Sequence, residues 1–106
     1  MDGVRELIAA LLEHFYRIHF PLEEWASLWR RLLAGEHIFT TRTDADLGRY
    51  ERGMRVITPW GQLLKVVSVV RVRNVSEHPF KDELSREQVK FLSSHGEMDV
   101  VELELQ

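Results

Sequence analysis

A chain of 106 residues, 44% hydrophobic and 29% charged, is long enough for one real core and ordinary for a globular domain. Its net charge of −3 argues against coating nucleic acid by bulk charge, and the absence of cysteine excludes a disulfide framework, a thiolate metal site and a thiol nucleophile. No apolar run approaches the roughly 20 residues that a membrane helix needs. Met1-Asp2-Gly3 lacks the basic start of a signal peptide, so the expectation is a cytoplasmic protein with no membrane partner.

In chain order, Val4, Leu7, Ile8, Leu11, Leu12, Phe15 and Ile18 recur every three or four residues and predict an amphipathic helix over 2–18. Pro21 breaks it and opens a second helix over 22–34, with Trp25, Leu28, Trp29, Leu32 and Leu33 as its apolar stripe. Both tryptophans are expected in the core. Glu23 and Glu24 at its start and Arg30 and Arg31 at its end match the helix dipole, and Gly35 suits the position just past the C-cap.

Beyond Gly35 the period changes from helical to alternating. Strands are predicted over 37–43, 54–58, 62–73 and 99–105, and a helix over 79–94. In the long strand the alternation puts Leu64, Val66, Val70 and Val72 on one face and Lys65, Arg71 and Arg73 on the other. Thr58-Pro59-Trp60-Gly61 has the composition of a turn. The order helix, helix, three strands, helix, strand predicts one α+β domain over 1–106: a small mixed β-barrel of about five strands, with two N-terminal helices and one helix before the last strand.

Charge is unevenly placed. Residues 30–73 carry nine basic side chains against four acidic ones, and both flanks are acidic. Such a patch suits a phosphate backbone, although ion pairs to the acidic last strand would also account for it. Within it, Thr40 and Arg42 lie two apart on one strand face, a hydroxyl beside a guanidinium. Tyr50 between Arg49 and Arg52, Trp60 on its turn and Lys65 complete the candidate ligand contacts, since aromatic and basic residues together suit single-stranded nucleic acid. His14 and His19, five apart, are wrongly spaced for a helical metal pair, so no metal and no cofactor are expected. His78 and His95 read as solvated loop residues.

Leu33-Ala34-Gly35-Glu36-His37-Ile38-Phe39-Thr40-Thr41-Arg42 resembles the opening motif of ASCH domains in the PUA-like superfamily, a helix followed by Gly-x-Lys-x-x-Thr-x-Arg. Arg49-Tyr50-Glu51-Arg52-Gly53-Met54-Arg55-Val56 is similar to that family's loop into the next strand, and the valine-rich strand, the helix and Val100-Val101-Glu102-Leu103-Glu104-Leu105 follow in the family's order. The likeness spans about 22–105, with 1–20 as a helical extension. It implies a PUA-like barrel that binds RNA or a nucleotide in a cleft beside the Thr-x-Arg strand.

One bacterial branch of that family hydrolyses N4-acetylcytidine with a lysine, a threonine nucleophile and a glutamate. Carried over, Thr40 takes the threonine position and His37 the lysine position. The glutamate falls near Leu92-Ser93, with Glu87 and Glu97 its neighbours. A histidine in place of the lysine and an unmatched acid lean the reading away from catalysis, because a threonine hydroxyl needs a base beside it. In an ideal strand His37 points away from Thr40. The leading expectation is therefore a monomeric RNA- or nucleotide-binding module. An amidohydrolase using Thr40 and His37, and a protein-interaction module using the N-terminal helix, are the alternatives.

Overall fold

The computed structural model describes residues 16–106. Five strands form one curled sheet: β1 (Tyr16–Arg17), β2 (Ile38–Thr43), β3 (Arg55–Ile57), β4 (Leu63–Val72) and β5 (Met98–Leu105), in the order β1-β3-β4-β5-β2. β1 runs parallel to β3, and every other pair is antiparallel. The two helices are α1 (Trp25–Leu33), entered through a 3-10 turn at Leu22–Glu24, and α2 (Arg86–Ser93).

The predicted barrel is a half-barrel, because β1 and β2 are the two edges and share no ladder. A side chain spans the gap instead: Arg42 Nη2 donates to the His19 carbonyl at 2.7 Å, tying β2 to the segment that leaves β1.

Each face of the sheet carries its own apolar cluster. On the α1 face, Leu28 and Leu32 meet Ile38, Val56, Leu64, Val66, Val101 and Leu103. On the α2 face, Leu92 meets Val72, Met98 and Val100, with Phe39, Phe80 and Leu84 packed against them. Burial on both faces explains why Val100-Val101 reads as a continuous apolar pair, not as an alternation.

The helix expected over 2–18 falls mainly on residues outside the described ones. Its last turn is corrected: Tyr16–Arg17 is a strand, and the Ile18 amide donates to the Ile57 carbonyl at 3.0 Å. α1 ends where Gly35 predicts. With φ of 81°, Gly35 donates to Leu32 and Glu36 donates to Arg31, the double hydrogen bond of a Schellman motif. Its apolar stripe is only half buried, since Leu28 and Leu32 enter the core while Trp29 stays 42% exposed. Trp25, Trp29 and Phe20 surround Trp60 at ring-centroid distances of 6.0–6.4 Å, so Trp60 folds back as packing.

Two further corrections concern register. β4 breaks register between Val66 and Ser68, so Val67 is an inserted residue. A bulge flips the alternation beyond it. Leu64 and Val66 therefore face α1, Val72 faces α2, Val70 is exposed, and Lys65 and Arg71 lie on opposite faces. The helix predicted over 79–94 starts only at Arg86. Ser85 caps it in a reciprocal pair with Gln88, and 3-10 turns at Val75–Glu77 and Lys81–Glu83 flank Pro79.

Candidate functional site: a groove along the free edge of β2

The outer side of β2 opens onto a groove of about 850 Å³. Phe39, Thr40, Thr41 and Arg42 form its floor; Phe20, Glu24 and Leu28 line one wall, and Glu83, Glu87 and Phe91 the other. β2 forms because Ile38 through Thr43 pair in unbroken register with β5. Ile38 is anchored in the α1-side cluster and Phe39 packs against the α2-side cluster. The alternation fixed by these anchors puts Thr40 and Arg42 on the α1 face and Thr41 on the α2 face.

Arg42 is the distinctive group. Its guanidinium lies 5.7 Å from the centroid of the Tyr50 ring, and one terminal nitrogen is bound to His19. Among the described residues its buried Nε has no hydrogen-bond partner, and no carboxylate lies within ion-pairing distance. Such a donor is costly to leave unmatched. Asp99 sits directly across from Arg42 in the ladder, yet its carboxylate is committed elsewhere. It accepts from Arg71 Nε at 2.8 Å, from Arg71 Nη2 at 3.1 Å and from the Gly48 amide at 2.7 Å. The hydrogen bonds from Arg71 hold Asp99 below the usual carboxylate range against the opposing effect of its burial. This bracket pins the 44–50 loop, and with it the Tyr50 ring beneath Arg42.

The other predicted residues scatter. Tyr50 is only 6% exposed, so it supports Arg42 and offers no free face for a base. Arg49 is paired with Asp46 at 2.9 Å, and Arg52 is exposed. Lys65 lies on the α2 face beside Glu104 in the ladder, and Trp60 lies in the tryptophan cluster. His37 turns to the face opposite Thr40, where Nδ1 reaches Glu102 at 2.7 Å and Nε2 reaches Glu104 at 3.3 Å. The Thr40 hydroxyl has no side-chain partner among the described residues. Among the described residues, neither a histidine nor a carboxylate hydrogen-bonds it.

One groove-lining residue and one residue behind the lining escaped sequence reasoning. Phe91 is 60% exposed at the rim; a lone aromatic outside the helix's apolar period was the available signal. His78 is buried at 2% exposure, not solvated, and bonds Thr41 Oγ1 through Nε2 at 2.8 Å. Its Nδ1 accepts from the Phe80 amide at 3.0 Å, which leaves the ring proton on Nε2. Burial pushes the His78 pKa below its ordinary value. In that tautomer His78 donates to Thr41 and cannot take its proton, so the pair is not a nucleophile and base.

A pH prediction follows from this burial. The unfolded chain binds a proton at His78 more readily than the folded one, so stability from this group is intact above about pH 6.5 and falls as pH drops through the lowered folded value. Urea midpoints at pH 7.5, 6.5 and 5.5 are expected to fall less in His78→Gln than in the parent protein. Parallel declines would contradict the assignment.

No family model, curated protein or solved structure matches the chain. Among the described residues, no helix is long and apolar enough to cross a membrane, and no three histidine, aspartate or glutamate side chains converge on a point that could hold a metal.

Proposed function

We propose that this domain is an ASCH-like module that binds a nucleotide or single-stranded RNA in the groove along β2, with Arg42 holding a phosphate. The observation that carries the reading is the Arg42 guanidinium, half-buried among the groove's lining residues and in no ion pair among the described residues. Arginine's planar fork suits phosphate oxygens. The support for an ASCH-like module is the helix, glycine and Thr-x-Arg strand in succession, with a curled mixed sheet and a helix before its last strand.

Phe91 at the rim supplies an exposed ring on which a base stacks, and stacking tolerates any base. Glu24 and Glu87 line the same groove and offer acceptors to the amino groups of a base. A ligand with an anionic end and an amino-bearing ring matches both.

Calorimetric titration with cytidine 5′-monophosphate and a short single-stranded RNA tests this reading. Binding of either, weakened at higher salt, is expected. Phe91→Ala is expected to weaken RNA by about 1–3 kcal/mol while leaving inorganic phosphate binding unchanged. Absence of heat and of competition with both probes would refute the proposal.

A further inference from the structure

The Thr41 hydroxyl has one partner among the described residues, His78 Nε2 at 2.8 Å. Because the Phe80 amide donates to Nδ1, Nε2 is the ring's donor and the Thr41 oxygen must accept. The hydroxyl proton therefore has no acceptor within the described fold, although Thr41 lines the groove. The arrangement is stiff. His78 is wedged against Phe39 at 5.6 Å and Phe80 at 6.3 Å between ring centroids, and those two rings stack at 4.7 Å. A hydroxyl beside a histidine normally serves as donor or acceptor by rotating; here one choice is removed.

We infer that Thr41, oriented by His78, is a specificity-determining residue that donates a fixed hydrogen bond to an acceptor oxygen of the groove's ligand. The inference rests on the nucleotide reading of the groove, and it assigns the ligand a second anchor beside Arg42. Thr41 and Arg42 leave opposite faces of β2, so a ligand lying along the strand's free edge meets one on each side. The acceptor is an oxygen of the phosphate or of the nucleoside. His78 touches no ligand in this scheme; it is a positioning residue that acts through Thr41.

The test has two arms on the full chain. Long-range proton–nitrogen spectra of the histidine rings are expected to show His78 protonated at Nε2 and bare at Nδ1. A proton on Nδ1 overturns the inference. Affinities for cytidine 5′-monophosphate and for cytidine are then compared across Thr41→Val, Thr41→Ser and His78→Leu.

Thr41→Val is expected to lose five-fold or more, Thr41→Ser to stay within two-fold, and His78→Leu to lose about three-fold. A loss confined to the monophosphate places the acceptor on the phosphate, and a loss shared by cytidine places it on the nucleoside. Equal affinities for the parent protein and Thr41→Val overturn the inference while leaving the groove reading intact. If neither probe shifts resonances of residues 39–42 in the parent protein, the groove reading fails and the ligand role of Thr41 fails with it. Should His78→Leu not fold, the Thr41 pair decides alone.

Discussion

Asp99→Ala is expected to cost about 3 kcal/mol of stability, on the scale of charge-assisted hydrogen bonds lost from a buried group, and to lower the melting temperature by roughly 15 °C. Asp99 is 1% exposed and accepts three hydrogen bonds, two from Arg71 and one from the Gly48 amide. The arginine it leaves behind can turn to water, but the Gly48 amide loses its acceptor.

The pH dependence has a definite sign. Asp99's lowered folded pKa stabilises the fold above the unfolded carboxylate range and ceases to do so as pH falls through the folded value. Part of the parent protein's acid-induced loss below about pH 4 is therefore expected to be missing in Asp99→Ala. Thermal melts at pH 7 and pH 3.5 check both claims, and an unchanged melting temperature at pH 7 would contradict the bracket.

Arg42→Ala is expected to weaken nucleotide or RNA binding by about 1–3 kcal/mol, the scale of one good charged or bidentate contact. Arg42→Lys is expected to recover little, because an ammonium on a flexible stem presents no planar fork. The variant also loses the hydrogen bond to His19 and the contact over Tyr50. Stability must therefore be read alongside affinity. A folded Arg42→Ala protein that binds as tightly as its parent would remove Arg42 from the site.

Much of the frame was legible because local rules produce it. The glycine after α1, the strand positions and the pairing of Thr40 with Arg42 on one face follow from cap chemistry and period-two alternation. The bulge at Val67 was not legible, since an inserted residue leaves valine-rich composition unchanged while reversing every later side chain. The start of α2 was written in Ser85 and Gln88, but Pro79 is an equally good opening by composition alone.

The lining of the groove was only partly marked in the sequence. Arg42 was marked by its strand neighbour. His78 could not be, because its partner Thr41 lies 37 residues away and no local pattern reports a tertiary hydrogen bond. Asp99 was hidden for a related reason. In sequence it is one more acid beside Glu97 and Glu102, and only the sheet register brings it between Arg71 and Arg42. Trp29 shows the opposite failure: helical spacing predicts an apolar stripe, but of the helix's residues only Leu28 and Leu32 are fully buried, and Trp29 stays largely outside.

The most direct measurement is the Nε–Hε resonance of Arg42 in nitrogen-labelled protein, followed as cytidine 5′-monophosphate and then a short single-stranded RNA are added. A saturable shift of that signal, accompanied by shifts at Thr40 and Phe91 and absent with uncharged cytidine, is the predicted result. An Nε–Hε signal that stays in place while either probe binds elsewhere, or while neither binds at all, would contradict the claim that this groove holds a phosphate.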